Sequence, residues 1–251
     1  MTESATDWVF GIHGVRALLS AEDDSVRRLV IAFGRRNPDI EALATMAKAR
    51  GIRVERMPRP ALARITDGGN HQGVAAERRA FVPATERDLA TRLPGFDDPL
   101  LVILDGIEDP RNLGACLRTA EAAGADAVLV PKRGSAPLSS TVAKTASGAL
   151  EHLFVVEVGN LARCLKWLRD EGVWLAGGVE GSDGVPYTEV DYRGALGVVV
   201  GSEHRGLRRL TRESCDYLVT IPMAGATTSL NVSVALGVLL FEVRRQRDRA
   251  G

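Results

Sequence analysis

LLVILDGIEDPRNLGACLRTAEAAGADAVLV, residues 100–130, contains the pattern that decides the fold. Residues 100–104 and 127–130 are continuous apolar runs, which are typical of strands buried on both faces of a sheet. Between them, residues 112–123 have the apolar spacing of a helix with one buried face. A buried strand, a helix and a second buried strand make up the repeating unit of parallel α/β sheets.

The same alternation continues to the end of the chain. The further predicted strands are residues 153–158, 173–179, 196–200 and 218–221. The further predicted helices are residues 139–150, 160–171, 206–214 and 231–247. We therefore expect an α/β domain over residues 100–251, with a mostly parallel sheet and helices on both faces. Because residues 232–243 are nearly all apolar, the last helix is expected to be buried.

The first 80 residues show a separate, smaller α/β pattern. Its predicted elements are a strand at 29–33, a helix at 39–50, a strand at 52–57 and a short strand from Val74. Residues 81–99 are polar and contain Pro-Gly and Asp-Pro breakers, although residues 86–93 fit one short helix. We expect a domain over residues 1–80, a linker over 81–99 and the larger domain over 100–251.

Composition excludes several classes of protein. The 251 residues are 45% hydrophobic and 25% charged, which excludes disordered and collagen-like chains. The longest apolar stretches are well short of the roughly 20 residues of a membrane-spanning helix. The acidic N-terminus lacks the basic start and apolar core of a secretory signal. We expect a cytoplasmic protein that does not bind membranes.

Neither net charge nor cysteine spacing identifies a ligand. The 32 basic and 32 acidic residues cancel, so net charge does not indicate a partner. Cys116, Cys164 and Cys215 form no C-x-x-C pair, and the four histidines add no metal-ligand spacing. We expect reduced cysteines, no disulfide framework and no metal site.

The helix that follows the first strand of the larger domain carries two candidate residues. Asn112 stands at the predicted start of the next helix, where it either caps the helix or faces a ligand. Arg118 lies almost opposite the apolar face of that helix, among small residues that allow another chain or a ligand to approach. A solvated arginine is the alternative interpretation.

Two further loops follow predicted strands in the same way. Residues 201–206, GSEHRG, come directly after the apolar run 196–200. Ligands of open α/β sheets bind at the carboxyl ends of strands, where glycines allow close backbone approach. A glycine turn with a surface Glu203 is the alternative. Residues 221–231, IPMAGATTSLN, lead into the last helix, where Ser229 or Asn231 either caps the helix or lines a backbone-rich pocket.

Together these segments resemble the SpoU family of RNA ribose 2′-O-methyltransferases. The family's three signature motifs are similar to NLGACLRTA (112–120), VVVGSEHRGL (198–207) and IPMAGATTSLNVSVA (221–235), in this order. GIHGV (11–15) and HQGV (71–74) resemble the RNA-binding domain of those members that methylate a guanosine ribose in the peptidyl-transferase region of 23S rRNA. The resemblance covers nearly the whole chain.

The resemblance implies a fold, a cofactor and a set of site residues. It implies a deep trefoil knot at the C-terminal end of the α/β domain, a homodimer through that domain, and S-adenosylmethionine as cofactor without a metal. The implied cofactor-binding residues are Gly201, Ile221 and Leu230. The residues implied around the reacting ribose are Asn112, Arg118, Glu203, Ser229 and Asn231.

Arg118 and the neighbouring motif position His204 each carry a chemical expectation. A guanidinium group holds its proton tightly at neutral pH, so we expect Arg118 to act as an electrostatic partner of the ribose oxygen or a phosphate, oriented by Asn112 and Glu203. His204 stands where many relatives have glycine. If that position needs a positive φ, histidine costs about 1 kcal/mol there.

Three functions remain open from the sequence. The first is methylation of a guanosine 2′-hydroxyl in 23S rRNA, which the amino-terminal motifs favour. The second is the same reaction on tRNA or on another rRNA site. The third is an RNA-binding assembly factor without catalysis, against which the intact motif residues argue.

Overall fold

The structure is a computed structural model that describes residues 6–20, 26–34, 37–79, 81–181, 183–203 and 205–248. The strands are β1 Thr6–Phe10, β2 Val26–Ala32, β3 Arg53–Met57, β4 Val74–Arg79, β5 Ala84–Thr85, β6 Leu100–Asp105, β7 Ala127–Pro131, β8 Val155–Val158, β9 Trp174–Gly178, β10 Val185–Pro186, β11 Leu196–Gly201 and β12 Tyr217–Thr220. The α-helices are α1 Ile12–Ser20, α2 Pro38–Ala49, α3 Arg59–Ile65, α4 Glu86–Arg92, α5 Pro110–Ala122, α6 Ser140–Ala146, α7 Leu161–Asp170, α8 Arg209–Ser214 and α9 Val232–Asp248.

The chain forms two compact units. The first unit comprises residues up to Val82 together with Leu138–His152, and the second comprises Pro83–Pro137 and Leu153 onward. Among the described residues, no helix is long and apolar enough to cross a membrane.

The first unit is built on a four-stranded mixed sheet in the order β1-β4-β2-β3. β4 pairs antiparallel with β1 and β2, whereas β2 and β3 are parallel. Helices α1 and α2 contribute Leu18 and Leu43 to a core with Leu29 and Ile31 of β2. Helix α3, which the sequence pattern did not predict, places Leu62 against Val30 in a smaller cluster.

The second unit confirms the predicted α/β fold. Its eight-stranded sheet has the order β10-β12-β9-β11-β6-β7-β8-β5, and every pairing in it is parallel. All six residues of β6 are buried, as expected for a strand covered on both faces. Leu101 and Ile103 pack with residues of α4 and α7, and the intervening β6 side chains point to the opposite face. Helix α5 packs against helix α9.

Two segments lie in different units from those that the sequence pattern predicts. Within residues 81–99, expected as a linker, residues 83–99 belong to the second unit and contain β5 and α4, because Ala84 pairs with Val156 of β8 and Leu89 is fully buried in the second core. Residues 138–152, expected in the larger domain, belong to the first unit, where Glu151 forms a buried ion pair with Arg78.

Two helices are shorter than predicted, and a third is less buried than predicted. The helix expected over 139–150 ends at Ala146, because Ser147 and Gly148 have φ of 52° and 94°, which an α-helix cannot continue. The helix expected over 206–214 begins at Arg209. The last helix is not wholly buried as expected, since Val234 and Phe241 are 52% and 54% exposed.

Candidate active site

The carboxyl ends of β6, β9, β11 and β12 meet at one edge of the large sheet, because the strands are parallel. Gly201, the last residue of β11, pairs in register with Asp105, the last residue of β6. The loops of residues 202–208 and 221–231 both leave the sheet at this edge. This is where open α/β sheets bind their ligands.

Gly201 can only be glycine at its position in the structure. A Cβ atom built on it would overlap the backbone of Gly206 and Leu207. The close approach arises because the chain doubles back after β11: Ser202 and Gly206 form an isolated antiparallel bridge, and the Gly206 N–H donates to the Ser202 carbonyl at 2.8 Å. The loop thus presents backbone groups and the exposed Glu203 at the end of the strand.

Three of the predicted site residues form one hydrogen-bonded cluster. The side-chain amide of Asn112 donates to the Glu203 carboxylate. The Asn231 amide donates to Asn112 Oδ1 at 3.1 Å and to Glu203 Oε1 at 3.3 Å. These residues are far apart in sequence, in α5, after β11 and before α9. The cluster therefore joins all three sequence motifs, and we call it the amide–carboxylate cluster.

Of the two asparagines that were candidate helix caps, only Asn231 caps its helix. Asn112 is not the cap of its helix: Asp109 accepts a 2.8 Å hydrogen bond from the Arg111 N–H, and Pro110 takes the first helical position. Asn112 therefore lies within the first turn, with its side chain free to reach Glu203. Asn231 does cap α9, because its Oδ1 accepts from the Ser233 N–H at 2.9 Å. Asn231 has both a capping role and a place in the cluster.

A cavity of about 360 Å³ opens beside the cluster. The three residues expected to contact a cofactor, Gly201, Ile221 and Leu230, all line it, as do Ser229 and Glu203. Its apolar walls include Val200, Leu207 and Leu239, and its polar rim includes Glu180, Arg205 and the ion pair between Asp183 and Arg212. A cleft with apolar walls and polar groups at its rim is typical of a small-molecule site.

The structure does not bring Arg118 into the cluster. It lies six residues after Asn112 on α5, about 240° around the helix. Its exposed side chain has no hydrogen bond or ion pair within the part of the chain that the structure describes. The predicted buried face of α5 is confirmed, because Leu113, Cys116 and Leu117 are fully buried. The orientation of Arg118 by Asn112 and Glu203 stays a prediction.

Cys116, on the buried face of α5, is chemically inert. Burial raises the pKa of its thiol to about 12, and the negative charge of Glu203 contributes in the same direction. The thiol therefore stays protonated near neutral pH and is not a nucleophile. Across the described ranges there is no group of three or more His, Cys, Asp or Glu side chains placed to hold a metal ion.

One polar pair at this edge was not predicted from the sequence. Asp105 is almost completely buried at the end of β6, and its Oδ2 accepts from the Arg208 N–H at 2.9 Å. The signal for Asp105 was a carboxylate directly after an apolar strand in a parallel sheet. His204 lies outside the described residues, so the prediction about its φ stays a prediction.

The parallel sheet, the pocket at its carboxyl edge and the amide–carboxylate cluster agree with the sequence motifs, and the chain belongs to the SpoU rRNA methylase family, which matches residues 99–241. A second match, to the RNA 2′-O ribose methyltransferase substrate binding domain, covers residues 8–82. Among curated proteins, the 23S rRNA (guanosine-2′-O-)-methyltransferase RlmB of Photobacterium profundum is 44% identical over 245 residues, 97% of this chain and 99% of that protein.

Two further relatives extend the comparison. RlmB of Escherichia coli is 42% identical over 243 residues, which cover 97% of this chain and all of that protein. The crystal structure of the SpoU methyltransferase AviRb from Streptomyces viridochromogenes, in complex with AdoMet, superimposes with a TM-score of 0.80. That structure has 26% sequence identity, and the alignment covers 99% of this chain and 93% of AviRb.

Proposed function

We propose that this protein transfers a methyl group from S-adenosylmethionine to the ribose 2′-hydroxyl of a guanosine in the peptidyl-transferase region of 23S rRNA. The observation that carries the proposal is the juxtaposition of the pocket with the amide–carboxylate cluster, formed by the three motifs of the family. The nearly full-length likeness to proteins named as 23S rRNA guanosine methyltransferases supports the substrate.

The residues of the pocket fit S-adenosylmethionine. A volume of about 360 Å³ lies within the range of small-molecule sites. Apolar side chains such as Ile221 and Leu230 suit the adenine ring, and the absence of a Cβ at Gly201 lets the backbone of Gly206 and Leu207 pack against it in the pocket wall. When bound, S-adenosylmethionine supplies an activated methyl group on a sulfonium sulfur.

The chain's own residues orient the nucleophile and hold charge. Transfer converts the 2′-hydroxyl into an ether and releases its proton, so the site must align the oxygen and stabilise developing negative charge. The amides of Asn112 and Asn231 are donors held in place by Glu203, and Ser229 lies on the pocket wall beside them. We assign Arg118 the role of a cation for the ribose oxygen or an adjacent phosphate.

The two halves of the chain have separate roles in this proposal. Residues 1–80 provide RNA recognition, which the substrate-binding match to residues 8–82 supports. Residues 100–251 provide the cofactor site and the catalytic cluster, which the family match to residues 99–241 supports. Since the relatives are named for acting on ribosomal RNA, the proposal also places the protein in the cytoplasm.

The proposal includes a homodimer through the catalytic domain. Val234 and Phe241 are seven residues apart on α9, so they lie on the same face of the helix, and both are more than half exposed. Such a stripe suits a second copy of the chain. Sedimentation of the protein and of a Phe241→Arg variant tests this, with a monomeric wild-type protein as the contradicting result.

We also propose that the chain forms a deep trefoil knot in its C-terminal domain. The sheet order supports it: β11 returns between β6 and β9, and β12 lies on the other side of β9. The chain therefore passes back across strands that it has already formed.

Methylation of defined RNAs tests the proposed reaction. Unmodified 23S rRNA and tRNA transcripts are each incubated with the protein and labelled S-adenosylmethionine, and the methylated nucleotide is mapped. Label only in 23S rRNA, at one guanosine ribose, is expected; label only in tRNA would favour the second candidate. Calorimetry with S-adenosylmethionine separates both from a non-catalytic factor. Gly201→Ala should abolish cofactor binding, whereas the exposed Gly95, which has open space around it, can become alanine without effect.

A further inference from the structure

The first unit contains a cavity of about 180 Å³ of its own. It lies where β1 ends and α1 begins, beside the loop that precedes β4 and beside α6. The side chains that line it include the aromatic rings of Trp8 and Phe10, the polar groups of His13, Asn70 and Gln72, and the ammonium group of Lys144. We call it the first-unit pocket.

The two amino-terminal motifs converge on this pocket. The Gly11 N–H donates to the Val74 carbonyl at 3.2 Å, and the Ile12 N–H donates to Gln72 Oε1 at 2.9 Å. Gln72 has a φ of 52°, which is unfavourable for a residue with a side chain. The bond to Ile12 fixes the Gln72 carbonyl oxygen, so the side-chain NH₂ group keeps a defined position at the pocket. GIHGV and HQGV, far apart in sequence, therefore build one site.

The pocket offers hydrogen-bonding groups that the protein itself does not use. Within the described residues, the side chains of His13 and Asn70 make no hydrogen bond, and neither does the side-chain NH₂ of Gln72. An imidazole and two amides arranged beside aromatic walls can pair with the polar edge of a nucleobase while its flat faces contact apolar surface.

Lys144 makes the pocket suitable for an anion. Its Nζ lies 5.1 Å from the centre of the Phe10 ring, a cation–π contact that places the charge at the pocket. No Asp or Glu is among the described residues that line the pocket. A nucleobase pocket with one positioned cation and no carboxylate suits a nucleotide, with the base inside and its phosphate at the ammonium group.

We propose that the first-unit pocket binds one unpaired nucleotide of the RNA, and that Lys144 is the phosphate contact of this subsite. The inference rests on the proposed function in that the ligand is RNA. It goes beyond the match to residues 8–82, because Lys144 belongs to the 138–152 segment, which lies outside that match. The base must be unpaired, since a base in a duplex is stacked and cannot enter a pocket.

The experiment compares RNA binding by three single variants of the full chain. Lys144→Ala removes the charge, Asn70→Ala removes one base-edge group, and Lys48→Ala removes an exposed lysine of α2 that does not line the pocket. Affinity for an unmodified 23S rRNA transcript is measured by filter binding at several salt concentrations. Methylation by the same proteins is measured as KM and kcat for RNA.

Each variant has a distinct expected result. Lys144→Ala should weaken binding about tenfold and reduce the slope of log affinity against log salt by about 0.7, the effect of one phosphate contact on a single strand. Asn70→Ala should weaken binding about tenfold with an unchanged slope. Both should raise the KM for RNA with kcat and cofactor affinity unchanged, and Lys48→Ala should match the wild type.

The outcomes separate this inference from the proposed function. If the wild type methylates 23S rRNA while Lys144→Ala and Asn70→Ala bind RNA as the wild type does, the subsite is wrong and the function stands. If both variants lose RNA affinity as expected but no RNA is methylated, the subsite stands and the proposed reaction is wrong. Failure of the wild type to bind any RNA would overturn both.

Discussion

The backbone N–H of Arg208 donates a 2.9 Å hydrogen bond to Oδ2 of Asp105, and Gly201 pairs in register with the same aspartate. Both ends of the loop that carries Glu203 are therefore tied to one buried residue of β6. The guanidinium group of Arg208 also contacts this aspartate, because its Nε lies 3.5 Å from Asp105 Oδ1. Its Nη2 donates a 3.3 Å hydrogen bond to the Gly134 carbonyl. A Cβ on Gly134 would overlap this guanidinium group.

Asp105→Asn should loosen this loop without creating a cavity in the core. The amide keeps the shape of the carboxylate but loses its charge and one acceptor, so we expect a loss of about 1–3 kcal/mol in the free energy of unfolding. Affinity for S-adenosylmethionine should fall about tenfold, because the pocket wall begins at the loop. Urea unfolding and calorimetry measure the two effects. Asp191→Asn, which breaks an exposed ion pair with Arg193, is the matched control and should change neither.

Asn231 allows its capping role to be separated from its role in the cluster. Asn231→Asp keeps an oxygen to cap α9 but replaces the amide donor with a second negative charge beside Glu203. We expect an unfolding free energy within about 0.5 kcal/mol of the wild type and a turnover that falls about a hundredfold. Asn231→Ala should lose the same activity and also about 1 kcal/mol of stability. Full activity of the aspartate variant would show that the cluster serves only the helix.

Arg118→Lys tests how the exposed arginine acts. If it works as an oriented charge, lysine should lower turnover about a hundredfold, because it lacks the planar fork, and cofactor affinity should stay the same. If it works by losing a proton, lysine should gain rate relative to the wild type between about pH 8 and 10. We expect the first result in single-turnover methylation. Arg111→Lys, an exposed position on the same helix, is the control.

His71 should make the first unit sensitive to mild acid. Burial, and secondarily Arg59, lower the pKa of His71 below its ordinary value of 6.5, and its Nδ1 accepts from the Gly73 N–H at 3.0 Å. The neutral form is therefore favoured in the folded state. Its contribution to stability is complete above pH 6.5 and is lost as the pH falls from 6.5 through the lowered pKa.

Hydrogen exchange of the β2 and β4 amides measures this effect in the whole chain. The wild type should show a falling free energy of opening as the pH is lowered below about 6.5. His71→Asn, whose side-chain oxygen can replace Nδ1 as the acceptor, should flatten the fall, and His13→Asn at an exposed position should leave it unchanged. An identical pH dependence in all three proteins would rule out His71 as its source.

The order of apolar runs was sufficient to predict six of the eight strands of the large sheet, because a strand buried on both faces leaves a continuous apolar run wherever it occurs. The two-residue edge strands β5 and β10 were not predicted. Residues 100–104 and 196–200 were recognised in this way, and the structure places them side by side as β6 and β11. Their adjacency was not predictable from spacing, because it depends on strands that return between earlier ones. The predicted buried face of α5 was confirmed for the same reason, since periodicity reports burial.

Competition between neighbouring residues explains the helix boundaries that were predicted wrongly. Asn112 is a good capping residue, but Asp109 is an equally good one and stands directly before Pro110, which favours the first helical position. The segment after Ser139 has helical composition throughout, yet positive φ at Ser147 and Gly148 ends the helix early. The family's signature motifs contain the three residues of the amide–carboxylate cluster, whereas Asp105 lies outside those motifs and is indicated in the sequence only by its position directly after an apolar run.

The assignment of residues 138–152 to the first unit means that the chain crosses between units three times, after Val82, after Pro137 and after His152. A single cut therefore cannot separate the recognition unit from the catalytic one. A fragment of residues 1–80 lacks Glu151, the partner of the buried Arg78, and a fragment of residues 100–251 carries α6 without the sheet on which it packs. Exchange of recognition units between relatives would have to transfer both segments together, so recombination at one linker would not yield a new specificity.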